Sequence, residues 1–331
     1  MSDRRLDVLA IGNAIVDVIS DTNDAFLDEQ GLAKGSMRLI DEAEAERLYA
    51  LMGSGRELSG GSAGNTAAGI AALGGRAGFI GQVADDQLGG IYRHDIQSLG
   101  VAFDTPARSD VGATARSLIL VTPDAQRTMN TFLGAAQLLD SRAIDPAHIA
   151  SASILYLEGY LWDPETPRAA MEAAIAAARD AGTLVAFTLS DSFCISRHRG
   201  DFLRLIDQGK IDILFANEAE IIELAGVPGL EGSVDAIAAK VPTLVVTRSE
   251  QGAIARAGSE QASVPAEPIE RLVDTTGAGD LFAAGFLAGQ ARGLSLEQSL
   301  KLGAIAAAEV IQHYGARPEQ DLKALAADLL A

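Results

Sequence analysis

Residues 154–189 read ILYLEGYLWDPETPRAAMEAAIAAARDAGTLVAFTL, a strand, a helix and a second strand in one stretch. Ile154–Tyr160 and Leu184–Leu189 place apolar residues on consecutive positions, as strands covered on both faces do. Between them Thr166 is expected to cap a helix whose first residue is Pro167. Met171, Ile175 and the flanking alanines give that helix an apolar face, and Gly182 ends it. The unit recurs outward along the chain. Apolar, β-branched runs stand at Val8–Ile15, Gly78–Val83, Ile211–Ala216 and Thr243–Thr247. Residues 280–313 read as two alanine-rich helices parted by Arg292-Gly293. This alternation predicts an α/β fold, a doubly wound and mostly parallel sheet flanked by helices.

One stretch breaks the rhythm. Thr114–Leu133, TARSLILVTPDAQRTMNTFL, gives two strand-like runs around a Pro-Asp turn, a hairpin foreign to a pure strand–helix–strand wind. Ser36–Ile40 adds an extended piece before a helix at Asp41–Met52. These insertions, about residues 14–21, 32–40 and 112–135, predict a small β-sheet lid on a single domain spanning residues 1–331. No repeat, low-complexity segment or Pro/Gly/Ser-rich linker divides the chain.

Hydrophobic residues at 48% and charged residues at 21% exclude wholesale disorder. Acids outnumber bases 45 to 26, for a net charge of −19, a field that repels nucleic acid and anionic lipid. An anionic substrate would need a local feature to overcome it. The lone Cys194 offers no internal disulfide, and His94, His148, His198 and His313 show no metal-ligand spacing. The amino terminus, MSDRRLDVLAIGNAIVDVI, resembles a signal peptide only superficially, because Asp7 and Asp17 bracket its apolar run. No stretch approaches the roughly 20 apolar residues of a membrane span. The expectation is a cytoplasmic protein, monomer or homodimer, acting on a small molecule.

Four short motifs carry chemistry. In Asp274-Thr-Thr-Gly-Ala-Gly-Asp280, three small residues (Gly277, Ala278, Gly279) precede an apolar helix, LFAAGFLAG. Their N–H groups at a helix N-terminus attract developing negative charge, and Asp280 beside them fits a base that deprotonates a hydroxyl. On spacing alone a capped glycine turn serves equally well; Gly285 and Gly289 read as close-packing positions. Ser59-Gly-Gly-Ser-Ala-Gly-Asn65 leads into a helix at Thr66–Leu73, with Gly60 and Gly61 allowing close approach. Its Ser62 and Asn65 offer hydrogen bonds to hydroxyl groups. Gly12-Asn13-Ala-Ile-Val-Asp17 interrupts the first strand, where ligands of doubly wound sheets bind. Asn217-Glu-Ala-Glu220 is close to a helix capping box and would also suit Mg²⁺ and its waters. Neither GxGxxG nor GxxxxGK[ST] occurs at the expected places, which leaves an NAD-dependent oxidoreductase without its fingerprint.

Together, in this order, the motifs resemble the ribokinase, or phosphofructokinase-B, family of carbohydrate kinases along essentially the whole chain. DTTGAGD-LFAAGF is similar to that family's carboxy-terminal signature and GGSAGN to its amino-terminal one. The resemblance implies an ATP-dependent kinase using Mg²⁺, with Asp280 as base and Gly277, Ala278 and Gly279 as anion hole. Asn13, Asp17, Gly61, Ser62 and Asn65 would hold the acceptor's hydroxyls. Thr247, Arg248 and Gly252, in VVTRSEQGA, would join Gly277 and Gly279 along the nucleotide, although the family often has glycine where Ser249 stands. Asn217 and Glu220 would meet Mg²⁺ through water, and the main chain around Asp274 and Thr276 could bind a monovalent cation such as K⁺.

GGSAGN lacks the lysine that ribokinases carry after the two glycines and looks closer to the adenosine-kinase branch, as do LFANEAEIIELA and RTMNTFLGAA. The favoured acceptor is therefore the 5′-hydroxymethyl of adenosine or a similar ribose compound; a free-sugar kinase is the alternative. A nucleoside needs an apolar slot for its base, for which Phe132, Tyr160, Trp162, Phe187 and Phe193 are available. A non-catalytic binding protein of the same fold would not need Asp280.

Overall fold

The computed structural model describes residues 5–124 and 126–330. Met1–Arg4 of the amino-terminal segment and Ala125 of the hairpin turn lie outside the described residues. Among the described residues thirteen strands form two sheets. In chain order they are β1 (Leu6–Ile11), β2 (Ile15–Asp21), β3 (Met37–Leu39), β4 (Gly55–Gly60), β5 (Ala77–Ile80), β6 (Ala115–Val121) and β7 (Arg127–Phe132). There follow β8 (Ala152–Glu158), β9 (Leu184–Thr188), β10 (Ile213–Asn217), β11 (Thr243–Thr247), β12 (Ala253–Ala257) and β13 (Glu260–Val264). The large sheet runs β13-β12-β11-β10-β9-β8-β1-β5, parallel from β5 to β11 with two antiparallel strands at its edge.

Consecutive apolar residues on the central strands face opposite helical layers. Val8, Ala10, Tyr156, Phe215 and Val245 pack with the helices Ser62–Ala72, Ala278–Ala291 and Leu296–Val310. Leu9, Ile11, Leu155, Phe187, Leu214 and Leu244 pack on the other side with Glu165–Ala181, Ser192–Asp207 and Glu218–Ala225. This is the physical content of a doubly wound sheet: each strand buries both faces, so its sequence cannot alternate. Among the described residues no helix is long and apolar enough to cross a membrane.

The small sheet has the order β3-β7-β6-β2-β4. It takes its strands from the three expected insertions and adds β4, whose GRELSG composition gives little strand signal. Sequence reasoning also overlooked the hairpin β12–β13, because AIARA reads as well for a helix. Other boundaries move for identifiable reasons. The first strand stops at Ile11 rather than Ile15, at Gly12, where a Cβ would lie 2.4 Å from the Glu158 carboxylate. The chain leaves the large sheet there and enters the small one. The helix expected to be capped by Thr166 begins at Glu165 with Pro164 as its cap residue, while Gly182 closes it at φ +63° as anticipated. The helix expected at Thr66 begins at Ser62, so Ser62 and Asn65 stand on its first turn rather than in a loop.

The helices Ala278–Ala291 and Leu296–Val310 touch backbone to backbone: a Cβ on Gly285 would meet the Leu302 carbonyl oxygen at 2.5 Å and Gly303 at 2.6 Å. Gly90, also helical, has nothing within 4 Å of such an atom. Gly285→Ala should therefore destabilise the protein by about 1–3 kcal/mol through overpacking. Gly90→Ala should stabilise it by up to about 1 kcal/mol through helix propensity. Denaturant midpoints of the two variants, measured side by side, check the contrast.

Candidate functional site

Gly277 adopts φ +79° and caps the helix Ala278–Ala291, placing Asp280 in its first turn. Only glycine suits this position, since a Cβ there would also lie 2.5 Å from that of Ala316. Asp280 is half-buried, and both its carboxylate oxygens are taken: Ser62 Oγ donates to Oδ1 at 2.7 Å and Asn65 Nδ2 to Oδ2 at 2.9 Å. Thr66 Oγ1 lies 3.2 Å from the Asp280 carbonyl oxygen. Burial raises the Asp280 carboxyl above its ordinary range, while the bonds from Ser62 and Asn65 and the charge of Arg317 oppose the rise. Two residues expected to touch the acceptor thus orient the expected base.

Asp17 lies on β2 opposite Leu58 of β4, its carboxylate against the end of that strand: a Cβ on Gly60 would be 2.4 Å from it. Burial pushes it up to about 6, with Arg317 and Arg127 pulling it down and Asp280 pushing it further up. Gly61, at φ +86°, leaves room for the Asn13 carbonyl oxygen, which a Cβ would approach to 2.1 Å. Asn13 is anchored by Glu158: its backbone N–H and one N–H of its Nδ2 both donate to Glu158 Oε1 at 2.7 Å. Glu158 Oε2 accepts the N–H of Ala63 at 2.8 Å. This wholly buried glutamate, which sequence reasoning missed, ties the break after β1 to the start of the Ser62 helix. Burial pushes it up to about 7. Its signal was present: a charged residue ends the otherwise apolar run ILYLE.

Arg127 was also missed as a site residue. From β7 it reaches across to the glycine turn, where it pairs with Asp274 and donates to Thr276 Oγ1 at 2.9 Å. Asp274 further accepts the Thr276 N–H and hydroxyl and the Gly315 N–H. With these partners the carboxyl lies below its ordinary value despite burial, which opposes them. A guanidinium therefore supplies the positive charge at Asp274, and the side-chain geometry gives a K⁺ ion no added support there.

Asn217 and Thr247 are register partners at the carboxyl ends of β10 and β11. Arg248 Nε bonds Glu218 at 3.1 Å, and Gly252 closes the turn at φ +82°, its missing Cβ leaving space for the Val264 carbonyl oxygen. Ser249, where glycine was the family norm, carries φ +50°. Asn217 and Glu220 close a full capping box, with Glu220 Oε1 accepting Asn217 Nδ2 at 2.7 Å and Oε2 its N–H at 2.9 Å. Burial pushes Glu220 up to about 6. Among the described residues no group of three or more His, Cys, Asp or Glu could hold a metal ion. The Asn217 and Glu220 oxygens are groups that could meet the waters of a hydrated Mg²⁺ ion.

The aromatic candidates divide. Trp162 and Phe187 are fully buried in the core. Phe132 underlies the Arg116 guanidinium, 5.8 Å from its ring centroid. Tyr160 and Phe193 are exposed. No aromatic is brought beside Asp17 by strand register. Aliphatic residues are: the cross-strand row Ile19–Ile119–Met129–Met37 lies next to the row Asp17–Ser117–Thr131–Leu39 on the same face. Met37 and Leu39 are 57% and 63% exposed, an unusual apolar edge.

Comparison with known proteins finds relatives along most of the chain. The model of the pfkB family carbohydrate kinases matches residues 30–322. The crystal structure of adenosine kinase from Sinorhizobium meliloti superposes with a TM-score of 0.89 at 47% identity, covering 98% of this chain and 99% of that one. ATP-dependent ribose-1-phosphate kinase of Halopiger xanaduensis is 31% identical over 88% of this chain and 92% of its own length. Fructokinase of Klebsiella pneumoniae is 29% identical over 72% and 80%.

Glu158 gives a pH signature. Its folded-state pKa, about 7, lies above the ordinary 4.5. Its contribution to stability is therefore full below pH about 4.5 and lost as pH rises through about 7. Wild type should lose stability between pH 5 and 8 relative to Glu158→Gln, which cannot titrate. Urea midpoints at both pH values test this; parallel pH dependence would mean that Glu158 titrates like an exposed carboxylate.

Proposed function

This chain belongs to the pfkB family of carbohydrate kinases, and from that premise we propose that it transfers the γ-phosphoryl group of ATP to the 5′-hydroxymethyl of adenosine or a similar ribose-containing nucleoside. The observation that carries the chemistry is Asp280 in the first turn of the helix begun by Gly277–Gly279, half-buried and oriented by two donors. In this reading Asp280 takes the hydroxyl proton as the oxygen attacks. The N–H groups at the 14-residue helix's N-terminus meet the charge on the transferring phosphoryl oxygens. Asp17 accepts hydrogen bonds from the ribose hydroxyls, beside the backbone at Asn13 and Gly61. Arg127 adds positive charge at the glycine turn. MgATP, the co-substrate, would extend along Thr247, Arg248 and Gly252, with Asn217 and Glu220 touching the ion's waters.

The nucleoside assignment rests on the aliphatic rows beside Asp17. A ribose bound by Asp17 would direct a C1 substituent along the face that carries Ile19, Met129 and Leu39. Burying roughly 60 Å² of a purine there at ~25 cal/mol/Å² is worth about 1.5 kcal/mol, close to tenfold. Adenosine should therefore exceed ribose and fructose in kcat/KM by about tenfold or more in an ADP-release assay. Equal turnover of fructose would transfer the assignment to a free sugar and leave the kinase standing.

Asp280→Asn keeps the shape of the side chain and removes the proton acceptor. Its kcat should fall by ~10²–10⁴ with nucleotide affinity little changed. A variant keeping more than roughly a tenth of wild-type kcat would make Asp280 a helix cap only.

A further inference from the structure

Arg317 follows the long helix Leu296–Val310 in the segment Gly315-Ala316-Arg317, and no sequence motif marked it. Its Nη1 donates to the Gly64 carbonyl at 3.2 Å, and its Nη2 to the Ser59 carbonyl at 2.5 Å and to Ser59 Oγ at 3.1 Å. Ser59 ends the small-sheet strand β4 with Gly60, and Gly64 lies in the first turn of the helix whose Ser62 and Asn65 hold Asp280. The guanidinium thus joins the root of the small sheet to the support of the base. Its neighbours in the same segment do related work, for the Gly315 N–H bonds Asp274 and Ala316 packs on Gly277.

The direct partners of Arg317 are neutral oxygens, so its charge is not cancelled in an ion pair. Its Nε is buried without a partner. A buried guanidinium with an orphan N–H is costly, and an apolar side chain of similar volume would suit packing better. Its charge is felt instead by a ring of acids: Asp17 on β2, Asp95 and Tyr92 on the helix Gln87–Ser98, and Asp280. Asp280 in turn acts on Asp17, on Glu158 and on Tyr156, and Arg127 is the other cation facing Asp17. Burial pushes Asp17, Glu158 and Asp280 upward in a chain of net charge −19, and the charge of Arg317 opposes that rise at Asp17 and Asp280.

We propose that Arg317 is a positioning residue for phosphoryl transfer, fixing the junction of β4 with the Ser62 helix and standing as an uncancelled cation behind Asp280 and Asp17. The inference rests on the reading of Asp280 as base. The base works only when ionised, so the rate falls as pH falls through its pKa. Arg317 lowers that pKa, and its removal must move the acid limb of kcat/KM to higher pH.

The test is the pH profile of kcat/KM for adenosine in the full-length wild type, Arg317→Gln and Arg317→Lys. In Arg317→Gln the acid limb should rise by about one pH unit or more, the usual effect of a nearby opposite charge, and the deficit should shrink at high pH. Arg317→Lys keeps the charge but not the planar fork, so its limb should stay at the wild-type position while the acceptor KM rises about threefold or more. A uniform loss at every pH in both variants would reduce Arg317 to a structural strut and overturn the proposal. So would an unmoved limb in a folded Arg317→Gln. Should circular dichroism show Arg317→Gln unfolded, Arg317→Lys decides alone: a displaced limb or an unchanged KM rejects the proposal. If Asp280→Asn retains the wild-type rate and limb, the base assignment itself fails and this inference falls with it.

Discussion

The carboxylate of Asp280 is the point on which two distant parts of the chain close. Ser62 and Asn65, on one helix's first turn, donate to its two oxygens, and it sits in the first turn of another helix. Two helix N-termini, each the positive end of a dipole, are brought together with an anion between them. That approach needs small residues behind it. A Cβ on Gly69 would lie 2.7 Å from Ala284 and Leu281, and Gly285 and Gly289 press on Leu302, Gly303 and Ser299. The alanine- and glycine-rich sequence of these helices is the packing condition for bringing the two turns to one carboxylate.

Charge poses the second constraint. A chain of net charge −19 has to bind a nucleotide polyphosphate beside its own carboxylates. In the proposed reading the glycine turn answers with N–H groups, which carry no net charge. Two largely buried arginines answer with charge, Arg127 from the small sheet and Arg317 from the segment after the last long helix. Both leave a buried Nε without a partner. Their guanidinium ends meet the turn and its supports; at Asp274 the charge of Arg127 adds to the hydrogen bonds of Thr276 and Gly315 that hold the carboxyl below its ordinary value against burial.

The large sheet and the hairpin insertion could be read from the chain because each strand's burial is written in consecutive residues, as in Leu9–Ile11 or Leu155–Leu157. The glycine turn before an apolar helix was legible as a turn, and Gly277 does open that helix at φ +79°, while spacing alone left an anion site and a plain cap equally open. What stayed hidden depends on partners distant in sequence. Asn13, Ser62 and Asn65 look like ligands for a hydroxyl, and only the folded chain shows their polar groups engaged by Glu158 and Asp280. Arg317 carries no local pattern, since its meaning lies in the carbonyls of Ser59 and Gly64. β4 and β12 went unseen because GRELSG and AIARA hold few β-branched residues and are ordered by their neighbours.

The aromatic slot anticipated for a base illustrates the same limit in another way. Five aromatic residues were candidates for it, but two fill the core and Phe132 is one residue out of phase with Met129 and Thr131 along β7, on the opposite face. Period-two alternation then fixes what shares a face with Asp17: Ile15 and Ile19 on its own strand, Ser117 and Ile119 on β6, and Arg127, Met129 and Thr131 on β7. A carboxylate for hydroxyls, an apolar row and the arginine that reaches the glycine turn therefore stand on one face in one register. A one-residue slip would turn all of them away together. In the proposed reading, acceptor recognition by Asp17 and the delivery of Arg127 to the glycine turn are thus coupled by strand pairing, because the same sheet carries both.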